Sequence, residues 1–505
     1  MSYLKFDKEQ LINLFYSLNR EILRSNRTGS YISTTLNGCN TRKYHGLLVC
    51  PISLFNEEKH VLLSSLDISV IQQEEEFNLG IHRYKDGIYE PYGHMYIQNI
   101  EFSHIPKITY RIGGIILSME RILSERKKQV LIRYRLEEAA EKITLRFKPF
   151  LAFRNMHNLS KANLFVNSKY QIAENGISAK LYEGYPELFM QFSKKNEFIP
   201  VPDWYYNIEY IKELNRGYDY LEDLFVPGYF ELNLNPDETL IFSAGIEGTT
   251  PKALKQIFTR EIKKYSRKIT FVSLLKNSAE QFIYQKKDET SIIAGFPWYD
   301  SISRQAFVAL PGIVLATERN TLYGEVLSTY KKYLKNGLFP NNIFSSINKH
   351  YNSADAPLWY IWALQKYTET QRAPEGIWLH YSIIVKEILE AYRSSLPDFL
   401  HMTAEGLIEA EKENTPLTWM DSYIHGRPVV QRAGMTVEVN ALWYNAVVFA
   451  LEMCRLSSDK DFIHRWESMP EKIGNAFIQT FWNNRHEHLA DVVTEIGRAS
   501  CRARV

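Results

Sequence analysis

A chain of 505 residues is too long for one ordinary core, so two or three domains are expected. Hydrophobic content of 45% and charged content of 23% are those of a soluble globular protein. A formal net charge of +2, with no basic stripe and no acidic tail, argues against nucleic acid as a partner.

The first twenty residues carry scattered charges and no apolar run, so they do not read as a signal peptide. No stretch of roughly 18 apolar residues occurs, and no membrane partner is expected. Cys39, Cys50, Cys454 and Cys501 are far apart and lack CxxC spacing. Free thiols in a reducing cytoplasm fit better than a disulfide framework or a zinc site.

From about Gly29 to Gly248 the hydrophobic pattern has mostly period two. Lys142 to Phe147 alternates cleanly, and Ile108–Met119, Gln129–Arg135 and Tyr229–Ser243 are rich in β-branched and aromatic residues. Many short alternating strands imply a large antiparallel β-sandwich. Two segments are less regular. In LNGCNTRKYHGLLV (Leu36–Val49), Asn37-Gly38 signals a turn, strand character resumes at Tyr44, and His45 reads as a hydrogen-bonded structural residue. Asp203–Phe225, dense in Tyr and acidic groups, reads as an irregular or helical excursion.

Beyond Thr250-Pro251 the period lengthens. Lys252 to about Lys287 reads as a long connecting helix or helical pair. Further helices are expected near Ser303–Thr317, Leu322–Leu334, Ser353–Tyr367, Glu375–Arg393, Val437–Cys454 and Asp461–Phe481, with Ser303 and Ser353 as N-caps. Chemistry would then sit on the loops at one end of an all-α domain.

Four corners in this half join a loop to a helix start. They are Ala294–Gly312, Gly337–Ile343, Tyr351–Leu364 and Thr415–Ala446. The last, containing TWMD (Thr418–Asp421), is the most informative. A carboxylic acid beside apolar rings has surroundings that disfavour its charged form, and glycoside hydrolysis needs such a proton donor near neutral pH. Trp298, Arg304, Asp355, Trp359, Trp419, Asp421, Glu438, Asn440 and Trp443 would converge at one end of the domain. Blander roles are open to several of them. Trp359 could be core, and Asp355 or Glu438 could serve a helix dipole.

The order of these segments strongly resembles the glycogen debranching enzyme family of bacteria and archaea, in its amylo-α-1,6-glucosidase part. LNGCNTRKYHGLLV resembles the signature of that family's N-terminal β-sandwich. The resemblance implies a β-sandwich over residues 1–255, a helical linker over 256–290 and an (α/α)6 toroid begun over 291–494. It further implies inverting hydrolysis of α-1,6-linked glucose at glycogen branch points, without metal or other cofactor. Carried over, Asp421 is the general acid, while Trp298 and Arg304 line the glucose subsite. Asp355, Glu438 and Asn440 bind hydroxyls or orient Asp421. A glucoamylase-like hydrolase of another α-glucoside and a non-catalytic glucan-binding paralogue are the alternatives.

Two departures stand out. The family's Gly-Arg-Asp-Thr is Ser303-Arg304-Gln305-Ala306 here, which replaces a charged acceptor by the weaker neutral Gln305. The chain also holds only about half of the barrel helices that the resemblance implies. The general base is therefore expected beyond it and the chain itself is expected to be inactive, with residues 495–505 a non-native tail.

Overall fold

The computed structural model describes residues 3–265, 269–344, 349–371 and 374–494. The expectations on Cys501 and on the tail at 495–505 fall outside them. Two compact units divide the chain between Lys286 and Lys287.

The first unit is antiparallel β, as expected. Among the described residues, a nine-stranded sheet carries Ile115–Leu123, Gln129–Glu138 and Thr239–Gly245 side by side. A twelve-stranded sheet is built around Glu58–Gln72 and Ile143–Asn155. The pleat explains the pattern read from sequence. Ile143, Leu145 and Phe147 point inward and are buried, whereas Arg146 points out to an ion pair with Glu231. Val130, Ile132 and Tyr134 of the other sheet join those residues in one core, so the two sheets form a sandwich.

The two irregular segments resolve differently. Gly38 adopts φ 88° and its N–H closes a turn onto the Thr35 carbonyl at 3.1 Å. The strand then resumes at Gly46, and His45 is fully buried, accepting from the Thr41 N–H at 3.2 Å. Asp203–Phe225 corrects the sequence expectation. It is mainly the strands Asp203–Glu209 and Leu221–Val226, paired to each other, with only a four-residue helical turn at Ile211–Leu214. Glu222 and Asp223 are buried there because each finds partners: Glu222 accepts from Arg154 and Tyr210, and Asp223 from the Asn207 and Ala162 backbones.

Past the sandwich come α1 (Leu254–Lys263) and α2 (Phe271–Glu280). Leu254 and Phe258 of α1 pack on Ile122, Leu131 and Ile241 of the nine-stranded sheet. The long helix expected to about Lys287 stops earlier, since Ile283–Lys286 is extended; residues 266–268 of that expectation lie outside the described set.

The second unit is helical: α3 (Ser303–Leu310), α4 (Asn320–Lys331), α5 (Ala356–Glu369), α6 (Pro374–Arg393), α7 (Val437–Leu456), α8 (Lys460–Trp466) and α9 (Met469–Phe481). Helix α5 packs between α3 and α7, while α6 packs against both α5 and α7 and α9 packs against α7. Consecutive helices thus alternate between two layers, the order of a helical-hairpin array. Phe307 seats α3 in this core, with the rings of Tyr330, Phe339 and Tyr360 within 5.2 Å of it or closer.

Prolines break two helices that the periodicity runs together. Pro311 has no N–H for the preceding turn, and the chain widens into a π turn over Pro311–Leu315. Pro470 likewise cannot donate to the Trp466 carbonyl, so Asp461–Phe481 is two helices, α8 and α9. The N-caps also move. Ile302 rather than Ser303 caps α3, and Asp355 rather than Ser353 occupies the cap position of α5.

Candidate active site

Ser303, at the start of α3, is spent on the chain next to it: its hydroxyl donates to the Pro340 carbonyl and its N–H to that of Asn341. That anchors the neighbouring Arg304 with its side chain directed to α5. Arg304 Nε donates to Asp355 Oδ1 at 2.8 Å, Nη2 to Ser353 Oγ at 3.0 Å and Nη1 to Asp421 Oδ2 at 3.2 Å. Ser353 Oγ in turn donates to Asp355 Oδ1 at 2.7 Å. The network gathers Arg304, Asp355 and Asp421 from three separate corners, a placement that their linear spacing could not give.

Asp355 occupies the cap position of α5 yet makes no side-chain cap bond; its carboxylate turns to Arg304 instead. Burial to 1% exposure is tolerable only because Arg304 neutralises it. Its Oδ2 is buried without a hydrogen-bond partner. Burial acts to lower the Arg304 pKa, but Asp355 and then Asp421 raise it above the ordinary value, so the guanidinium is permanently charged.

The surroundings of Asp421 differ from the apolar wall expected. Its side chain is 54% exposed, Trp419 is half exposed, and the nearest charged group is Arg304. Asp421 lines a cavity of about 540 Å³ together with Arg304, Asn341, Asn352, Lys412 and Tyr423. An adjoining lobe of about 280 Å³ shares Arg304, Asn341, His350, Ser353 and Asp421. Among the described residues lining either space, Asp421 is the only carboxylate. The lining otherwise carries the amides of Asn341 and Asn352 and the hydroxyls of Tyr351, Ser353, Thr415 and Tyr423, groups that can pair with hydroxyls of a ligand.

The remaining expected site residues lie elsewhere. Trp298 is 38% exposed, Trp359 stands edge-on to Trp362 at 5.3 Å, and neither lines the cavity. Gln305 is partly buried and its Oε1 is unpartnered. Glu438 is held in a two-pronged ion pair by Arg432, with 2.9 Å between Nη2 and Oε2. Arg432 also binds Asp491 at 2.7 Å and Thr418 at 3.2 Å, and lies 5.7 Å from the Trp419 ring centre. Glu438 therefore ties a loop to a helix start.

Asn440 and Trp443 belong to the core. Asn440 is fully buried, taking the Ile408 N–H at 2.7 Å and donating to the Ile408 and Thr436 carbonyls. Trp443 is fully buried, stacked on Tyr392, with its indole N–H on the Gly406 carbonyl at 3.1 Å. Conversely, Asn341, His350, Asn352 and Lys412 line the cavity without having been singled out, although Asn341 falls in the GLFPNNI corner. Among the described residues there is no cluster of His, Cys, Asp and Glu that could hold a metal ion, and no helix long and apolar enough to cross a membrane.

Residues 20–241 match the family described as glycogen debranching enzyme N terminal, and residues 276–504 match amylo-alpha-1,6-glucosidase. Among solved structures, a bacterial glucoamylase complexed with acarbose is similar over 92% of this chain and 67% of that chain, at 10% identity and a TM-score of 0.49. With the sandwich matching the one family domain and the helical unit the other, in the order read from the motifs, the chain belongs to the glycogen debranching enzyme family.

Proposed function

We propose that the protein hydrolyses the α-1,6-linked glucose at branch points of glycogen or a limit dextrin, with inversion at the anomeric carbon. The observation that supports this most directly is the placement of the half-exposed Asp421 on the wall of a cavity that it shares with Arg304, Asn341 and Asn352. In this reading Asp421 is the general acid and protonates the glycosidic oxygen as the C–O bond breaks. Arg304 engages Asp421 Oδ2, and among the described residues no hydrogen bond is made by Oδ1, the oxygen that would carry the proton in this reading. Inversion also needs a second carboxylate roughly 6.5–9.5 Å from the first to activate water on the opposite face. The described residues lining the cavity do not supply it.

That lone carboxylate, together with Gln305, favours as a second reading a glucan-binding protein that does not turn over. Incubation with phosphorylase limit dextrin separates the two. Released glucose supports the first reading, with α-glucose excluded and β-glucose first formed if the reaction inverts. Glycogen binding without hydrolysis of any α-glucan sinks it in favour of the second, and hydrolysis confined to linear maltooligosaccharides removes the branch-point assignment.

A further inference from the structure

Two side-chain amides on the cavity wall are bonded to each other. Asn341 Nδ2 donates to Asn352 Oδ1 at 2.8 Å. An amide oxygen can accept two hydrogen bonds and its NH₂ can donate two, so one bond between the pair leaves both kinds of capacity for a ligand. Asn341 Oδ1 is left as an acceptor and Asn352 Nδ2 as a donor. Turning both amides over leaves the same balance, one acceptor beside one donor.

The pair is rigidly seated next to the Arg304 network. The Asn341 N–H donates to the His350 carbonyl at 2.8 Å, and its carbonyl accepts from the Ser303 N–H at 3.0 Å. Ser303 immediately precedes Arg304; Asn352 immediately precedes Ser353, whose hydroxyl holds Arg304 Nη2. Both amides line the same cavity as Asp421. Preorganisation of this kind reduces the ordering cost of binding.

A sugar hydroxyl both donates and accepts. Two adjacent hydroxyls match these two atoms, one giving its proton to the Asn341 oxygen and the other accepting from the Asn352 amide. An apolar ligand there would leave both groups dehydrated and unpaired. Trp298, Trp359 and Trp419 do not line the cavity; the phenol rings that do, Tyr351 and Tyr423, bring hydroxyls of their own beside the amide pair.

We propose that the Asn341–Asn352 pair reads two adjacent hydroxyls of the terminal pyranose of an α-glucoside and so sets the register of the sugar against Asp421; the choice of ligand class rests on the glucosidase reading above. The test is calorimetric titration of the full chain with isomaltose and with its monodeoxy analogues altered in the non-reducing ring. Two analogues, lacking neighbouring hydroxyls, should bind about tenfold more weakly than isomaltose. Asn341→Ala should erase the discrimination against one of them and Asn352→Ala that against the other. Asn352→Asp keeps the acceptor for Asn341 but removes the donor, so it should behave as Asn352→Ala with an unchanged circular dichroism spectrum. Equal affinity for all analogues, no binding of isomaltose, or an analogue pattern unchanged in both alanine variants would overturn the proposal. Glucose release from limit dextrin is measured in parallel. The hydroxyl pattern without hydrolysis removes the glucosidase reading and keeps the pair, whereas hydrolysis without the pattern does the reverse.

Discussion

Arg304 Nη1 lies 3.2 Å from Asp421 Oδ2 while Nε of the same guanidinium is 2.8 Å from Asp355 Oδ1. One planar fork therefore joins a carboxylate at 1% exposure to another that is 54% exposed. The buried member fixes where the guanidinium sits, and the guanidinium fixes one oxygen of the exposed member.

Replacing the exposed member isolates the chemistry. Asp421→Asn keeps the size and one acceptor but has no acidic proton to give. In a hydrolytically active form of the protein it should reduce glucose release from limit dextrin by at least about a hundredfold, with glucan affinity changed only slightly. Near-normal turnover would remove Asp421 from its role.

Replacing the buried member should act on stability. Asp355→Asn leaves the Arg304 charge uncompensated at its buried end, a loss of about 3 kcal/mol. Thermal or urea unfolding measures it, and a cost below about 1 kcal/mol would mean that Asp421 and Ser353 hold the guanidinium without Asp355.

Asn440 provides a contrast, because its side chain is wholly spent on backbone groups of Ile408 and Thr436. Asn440→Ala should unfold more easily by about 2–3 kcal/mol, with three buried backbone groups losing their partner. Its sugar affinity, measured well below the unfolding transition, should match that of the unsubstituted protein. Selective loss of binding at unchanged stability would return Asn440 to the site.

His60 makes the β-sandwich sensitive to acid. Burial, and then the Arg154 charge, push its pKa from 6.5 down to about 4, with its ring stacked on Phe55 and Nδ1 hydrogen-bonded to the Tyr185 hydroxyl at 2.8 Å. Between these values the unfolded chain binds a proton that the folded one does not. Stability is therefore full above pH 6.5 and declines as pH falls towards 4, by on the order of 2 kcal/mol at about pH 5. His60→Gln should flatten that part of the stability profile in urea titrations across the range; an unaltered slope assigns the acid sensitivity to other groups.

The broad plan was readable because it rests on periodicity. Alternation at Lys142–Phe147 and the helical stripe through Phe307 both follow from which face meets a core. Elements that depend on one residue were harder: Pro311 and Pro470 break helices whose apolar pattern continues through them. Asp203–Phe225 read as an irregular or helical excursion because of its acidic groups, whereas Arg154 and backbone amides supply partners that make buried acids tolerable in strands. At the site, type and position within a corner pointed to Arg304, Asp355 and Asp421. Nothing local distinguishes Asn440, which braces the backbone, from Asn341 and Asn352, which line the cavity. That difference lies in which segments arrive next to them.

The loop that bears Asp421 is secured at both ends, and its outward span is a small hairpin of its own in which Tyr423–Ile424 pairs with Arg427–Pro428. On one side the Leu417 carbonyl accepts from the Ala354 N–H at 2.7 Å and Thr418 is buried; on the other Arg432 is clasped by Glu438 and Asp491. From Asp421 to Arg427 every residue is exposed. Such a strap separates two properties that are usually entangled in an enzyme. Its fastenings answer to the fold, whereas the exposed tip of the hairpin buries nothing in the core. Substitutions at this exposed tip are thus expected to leave the fold nearly unchanged while Asp421 stays tethered to Arg304.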